Sequence, residues 1–161
     1  MPRYIRQKDF TSCGPVALIN ILKWFGCNVS YKDYIEIARG LCDHISGSDG
    51  GTEDKGMARA LKAHKISFKK IKNPTLVQLD KHLDSGGIIL LDYAVPCMSK
   101  LSPIPFEVGD WHFTLCIGRT NKTYIMVNDA TKNTVGKRSR QTIQIMLKWD
   151  GNDHFAWMIK K

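Results

Sequence analysis

Residues 15–25, Pro-Val-Ala-Leu-Ile-Asn-Ile-Leu-Lys-Trp-Phe, form a run that is apolar on nearly every side of a helix. A helix of that kind cannot lie on a surface and must be enclosed by the rest of its domain. Pro15 suits the first turn, where a missing N–H is no loss, and Gly26 suits the end. Directly ahead stands Gln7-Lys-Asp-Phe-Thr-Ser-Cys13-Gly14, so a cysteine sits at the mouth of the buried helix. Unpaired N–H groups and a partial positive charge of about half a unit at a helix start stabilise a thiolate and lower its pKa. Cys13 is therefore the first candidate for chemistry.

Further along, Ser30 with Asp33 three residues later reads as an N-cap, opening a helix to about Arg39 that Gly40 closes. Residues 42–51 are rich in Ser, Gly and Asp and read as a loop. Thr52 then caps an amphipathic helix over 53–64, with Met57, Ala60 and Leu61 on one face. From there the period changes. Residues 66–72 alternate apolar and basic as an exposed edge strand would, 74–83 is a short helix before Ser85-Gly-Gly, and 88–93 is a buried strand. Three prolines make 96–110 a long loop. Strands follow at 112–118 and 124–128, then a segment of unassigned type at 141–149 and a last strand at 155–160. Helices first and antiparallel strands second predict an α+β domain over 1–161, its buried N-terminal helix packed on a mainly antiparallel β-sheet.

With 161 residues the chain is long enough for one domain with its own core, and 43% hydrophobic against 24% charged residues excludes a disordered or collagen-like chain. No apolar run is long enough to cross a bilayer, and the first residues lack the apolar stretch of a secretory signal, so a cytoplasmic location is expected. The five cysteines, Cys13, Cys27, Cys42, Cys97 and Cys116, are odd in number and include no C-x-x-C pair. That pattern fits a reducing compartment rather than a disulfide framework or a zinc site. A net charge of +9, mostly from lysine, implies weak attraction for acidic polymers. Lysine is a poor base reader, and no basic motif interleaved with aromatics accompanies it.

A cysteine nucleophile needs a base within hydrogen-bond reach and a third group that fixes the base's tautomer. His112 opens the strand His-Phe-Thr-Leu-Cys-Ile-Gly, and Asp129 ends the next strand, Tyr-Ile-Met-Val-Asn-Asp, with Asn128 as the obvious substitute for it. Neighbouring antiparallel strands can place these side chains together. The imidazole would take the thiol proton and later protonate the leaving amine. Gln7 could aim its amide at the oxyanion beside the Cys13 N–H. Trp111 and Gly14 are candidates for touching substrate, and the loops at 42–51 and 96–110 for the cleft walls. His44, His64, His82 and His154 read as surface or loop residues that form no metal site. Cys116 shares a strand face with His112 by alternation and reads as buried below it.

In this order, Gln7, Cys13-Gly14-Pro15 at a helix start, His112-Phe113 at a strand start and Asp129 soon after resemble the papain-like fold. More narrowly, the chain resembles the bacteriocin-processing, double-glycine leader peptidase family and its stand-alone relatives, over most of its length. Ser12 stands where that family often has an acidic residue, and Ala130 where it often has proline. The resemblance implies hydrolysis of an amide bond in a peptide or protein substrate, without metal or other cofactor. It also implies a Cys13–His112–Asp129 triad, an acyl-enzyme intermediate and Gln7 in the oxyanion hole. Two alternatives stand beside it. One passes the acyl group to an amine or thiol instead of water. The other is a catalytically silent basic module that docks on nucleic acid, a virion or a cell-wall polymer.

Overall fold

The computed structural model describes residues 2–9, 11–46, 50–94, 111–129, 133–148 and 153–161. Its backbone groups into two compact units, Met1–Ser67 and Phe68–Lys161. The expected loop at 96–110, and Cys97 within it, lie outside the described residues.

The first unit is helical: α1 (Cys13–Trp24), α2 (Tyr31–Leu41) and α3 (Asp54–Ala63). Residues Cys13 to Leu22 of α1 are all buried, as its unbroken apolar run requires. Burying side chains such as Leu18, Ile19 and Ile21 stabilises the fold by about 1.5–3 kcal/mol each. Asn20, polar and fully buried in the same helix, is satisfied by the N-terminal segment. Its Oδ1 accepts from Ile5 N at 2.8 Å, and its Nδ2 donates to Ile5 O at 2.9 Å. A side chain thus imitates a strand partner and ties the segment carrying Gln7 to α1.

The helix ends show one mechanism with different residues. Gly26 (φ +92°) follows α1 in the left-handed region, Gly26 N donates to Lys23 O, and Cys27 N donates to Leu22 O. This double bond to the last turn is the Schellman motif. The same pair of bonds closes α2 through Asp43 (φ +49°) and His44, and α3 through Lys65 (φ +56°) and Ile66. The expected stop at Gly40 is therefore corrected. Gly40 lies inside α2, because Asp43 takes the left-handed position that glycine was expected to mark. Thr52 does not cap α3 either; Glu53 occupies that place, without a side-chain cap bond. Ser30 does cap α2, accepting from Asp33 N at 3.2 Å. Because a left-handed lysine carries a steric penalty that glycine avoids, Lys65→Gly is expected to stabilise the protein by about 1 kcal/mol, read as a higher urea midpoint at unchanged slope.

In the second unit, β1 (Phe68–Lys72), β2 (Ile88–Ala94), β3 (Trp111–Arg119), β4 (Thr123–Val127), β5 (Val135–Ser139) and β6 (Phe155–Ile159) form one sheet in the order β1-β6-β2-β3-β4-β5. Every neighbouring pair is antiparallel. Helices α4 (Leu76–Asp84) and α5 (Arg140–Met146) complete it. Ile89, Leu91 and Tyr93 of β2 cluster with Cys116, Met126 and Met158 and with Leu79, Leu83, Ile143 and Met146 of the two helices. The intervening Ile88 and Leu90 are also buried, which is why β2 reads as a continuous apolar run rather than an alternating one. At one edge β1 exposes its lysines as its alternation predicts. Thr75 and Gln78 build a reciprocal capping box at the start of α4. The unassigned segment at 141–149 contributes α5, capped by Ser139, whose Oγ accepts from Thr142 N at 3.0 Å. Strand β5 was not expected. Its pattern Val-Gly-Lys-Arg-Ser buries only Arg138, so hydrophobic alternation gives no sign of it.

Candidate active site

Cys13 is the first residue of α1 and is 6% exposed. Asp9 organises the approach to it. Its Oδ1 accepts from Thr11 N at 3.0 Å and Ser12 N at 2.7 Å, its Oδ2 accepts from Ser12 Oγ at 2.7 Å, and Arg39 Nη2 lies 2.9 Å from the same oxygen. Burial alone would raise the Asp9 pKa, but the Ser12 and Thr11 bonds and the Arg39 charge outweigh it and hold the carboxyl below its usual range. A depressed folded pKa gives stability that is present above the unfolded value near 3.9 and is lost as pH falls through the folded one. The stability gap between wild type and Asp9→Asn is thus expected to narrow as pH drops from about 5 to 2 in urea melts.

Gln7 bends into the same turn, its Nε2 donating to Asp9 O at 2.8 Å. Gly14 faces Thr52 so closely that a Cβ would lie 2.5 Å from the Thr52 Cβ. Close packing is therefore a sufficient reason for glycine there. His44, expected in a loop, has its Nε2 3.3 Å from Thr11 Oγ1 and so borders the helix mouth. Near the end of α2, burial pushes the Cys42 thiol up to about 12, and the neighbouring Cys13 adds to the shift. Burial likewise lifts Cys116 to about 12, and its thiol donates to Gly118 O at 3.6 Å. Cys27 is exposed just beyond the far end of α1.

The second unit places His112 near the start of β3, 2% exposed and paired in register with Tyr93 of β2. The two rings lie edge to face with centroids 6.0 Å apart. His112 Nε2 is 2.8 Å from the main-chain oxygen of Asn128. A carbonyl only accepts, so Nε2 carries the proton and, in the neutral ring, Nδ1 carries the lone pair. Burial lowers the His112 pKa, with Arg138 acting the same way, while the Asn128 carbonyl and Asp129 pull it back. The imidazole is thus favoured as a neutral base. Asn128, weighed as a substitute for Asp129, meets the ring through its backbone. Its φ of +54° is a left-handed conformation that asparagine tolerates better than most residues.

Asp129 is fully enclosed. The Tyr93 hydroxyl donates to its Oδ1 at 2.7 Å, and Arg138 Nε donates to its Oδ2. Burial, then the adjacent carboxylate, push the Tyr93 phenol well above its ordinary pKa, so it stays a donor. Tyr93 and Arg138 were not singled out in the sequence. A tyrosine in an apolar strand and an arginine in a basic segment carry no local mark of this contact, and only the register of the sheet brings them to Asp129. Trp111 is the first residue of β3, and its side chain lies outside the described residues.

The other histidines are structural. His64 Nε2 is 2.8 Å from the Tyr34 hydroxyl, and His82 Nε2 lies 3.0 Å from both Ile88 O and Ile159 O. His154, expected on the surface or in a loop, lies in the loop before β6 but is fully buried. Its main chain is held by Asn73, whose N donates to His154 O at 2.7 Å and whose side-chain Oδ1 accepts from His154 N at 2.9 Å. Among the described residues no three His, Cys, Asp or Glu side chains are grouped to hold a metal ion, and no helix is long and apolar enough to cross a membrane.

No family model and no curated protein sequence matches the chain. Solved structures do. The peptidase domain of Streptococcus ComA, a bi-functional ABC transporter involved in a quorum sensing pathway, superposes with a TM-score of 0.66 at 21% identity, over 98% of this chain and 97% of that one. A double glycine motif protease from an AMS/PCAT transporter, solved in complex with the leader peptide, gives 0.64 at 15% identity over 99% and 93%. A C39-like peptidase from Bacillus anthracis gives 0.62 at 15% identity over 98% and 94%. The α+β fold predicted from helices first and antiparallel strands second is the fold found: the chain is built like these peptidase domains.

Proposed function

We propose that the chain is a cysteine peptidase that hydrolyses an amide bond in a peptide or protein substrate. Cys13 is the nucleophile, His112 the general base and acid, Asp129 the third member of the triad, and Gln7 with the Cys13 N–H the oxyanion donors. In the reaction the Cys13 sulfur attacks the scissile carbonyl carbon and its proton passes to His112 Nδ1. The amine leaves with that proton, and water activated by His112 releases the acid from the thioester. The observation that carries the reading is the hydrogen bond from His112 Nε2 to the Asn128 carbonyl, which leaves Nδ1 as the basic nitrogen of a buried, neutral ring. Two further features support it: the helix start under Cys13 and the peptidase-domain fold.

One solved neighbour holds a leader peptide, and an extended peptide is the substrate class to try first. We place the reaction in the cytoplasm, need no cofactor for it, and treat residues 1–161 as one catalytic domain. The test is a peptide library incubated with the protein and with Cys13→Ser, products read by mass spectrometry with and without hydroxylamine. Free acids from the wild type alone, without hydroxylamine, support hydrolysis, and hydroxamates in its presence mark the acyl-enzyme. Amide or thioester conjugates with no free acid in the absence of hydroxylamine would move the reading to acyl transfer, and no product from any peptide contradicts it.

A further inference from the structure

A carboxylate that serves a catalytic imidazole is expected to face the ring. In this protein the ring nitrogen Nε2 faces the Asn128 carbonyl, while the Asp129 carboxylate is taken by Tyr93 from β2 and by Arg138 from β5. All four side chains, Tyr93, His112, Asp129 and Arg138, are buried. The carbonyl that the ring meets belongs to the Asn128–Asp129 peptide, and Asn128 is left-handed. Such a conformation persists where the surroundings over-determine it. Asn128 N donates to Thr134 O at 2.9 Å on one side, and the doubly held Asp129 side chain fixes the turn on the other.

We propose that Arg138 and Tyr93 are positioning residues of the catalytic centre: by clamping Asp129 they aim the Asn128 carbonyl at His112 Nε2 and hold the ring in the tautomer whose Nδ1 accepts the thiol proton. The proposal rests on the cysteine peptidase reading above. Arg138 has a second effect. It balances the Asp129 charge beside the ring, so that the carboxylate does not draw His112 into the imidazolium form before the thiol gives up its proton. Burial, the Asn128 carbonyl, Asp129 and Arg138 are thus what shift the His112 pKa.

The test is nitrogen-15 NMR of the histidines in the full chain, with steady-state kinetics, on wild type, Tyr93→Phe, Arg138→Gln and Arg138→Lys. Wild type is expected to show His112 protonated on Nε2. Tyr93→Phe and Arg138→Gln are expected to mix the tautomers and to lower kcat by up to about 10²-fold at unchanged KM, the effect of misplacing a catalytic group. Arg138→Gln is also expected to raise the His112 pKa by about one unit, which Arg138→Lys reverses by restoring the charge. Should Arg138→Gln fail to fold, Tyr93→Phe, which removes a single oxygen, carries the test. A wild-type tautomer and kcat in the folded Tyr93→Phe and Arg138→Gln proteins overturn the clamp. Hydrolysis that survives Cys13→Ala instead removes the cysteine-peptidase reading, whatever the NMR of the clamp variants shows.

Discussion

Replacing Cys13 by alanine is expected to lower amide hydrolysis by about 10⁴-fold or more while the protein stays folded. The size follows from the proposed covalent mechanism: with no sulfur no acyl-enzyme would form, leaving only binding and the proposed oxyanion donors. No other described cysteine can stand in. Burial holds the Cys42 and Cys116 thiols protonated, both pushed up to about 12, and Cys27 is exposed just past the opposite end of α1. Stability should change little, because most of the apolar burial that holds α1 comes from Val16 to Leu22 and Cys13 adds one small side chain to it. A loss within about 1 kcal/mol is expected for so small a truncation. Progress curves and urea melts on the same preparation separate the two effects.

A second large effect is expected at Asp129, and it is one of stability as well as rate. Its ion pair with Arg138 is enclosed, with the two side chains 0% and 8% exposed. Removing one partner of such a pair leaves an uncompensated buried charge, so Asp129→Asn is expected to destabilise the protein by about 3–5 kcal/mol. The asparagine still offers an oxygen to Tyr93, which assigns the loss to the Arg138 cation rather than to the phenol. Combining Asp129→Asn with Arg138→Met removes the stranded cation and is expected to recover most of that stability, since replacing a whole buried pair is often close to neutral. Activity should not return, because the clamp on the Asn128 turn is still missing. A double-mutant cycle on urea midpoints, run beside kcat measurements, shows whether stability and rate part company in this way.

What the sequence revealed followed from burial of apolar groups. The all-round apolar run of α1, the continuous run of β2 and the basic alternation of β1 each map one-to-one onto a pattern of exposure. Cys13, His112 and Asp129 could be named because each stands at the end of such an element. Polar burial was not legible. Strand β5 contributes one arginine to the interior and no apolar stripe, and Tyr93 looks like any other member of a core strand. Their meeting at Asp129 depends on strand order and register, long-range properties that a local pattern does not encode. Helix ends failed for a related reason. Asp43 and Lys65 adopt the left-handed conformation usually marked by glycine, so the residue type conceals the geometry, whereas Gly40 advertised a stop it does not make.

The central claim is that Cys13 is activated by His112, and the most direct measurement is the rate of Cys13 alkylation by iodoacetamide between about pH 4 and 9, followed site by site in the mass spectrum. A thiol whose proton a neutral His112 takes as the sulfur reacts predicts labelling that is already fast near about pH 5 to 6, confined to Cys13, and lost in His112→Ala. Labelling of Cys13 no faster than that of Cys27, or rising only above about pH 8 as for an ordinary thiol, contradicts it.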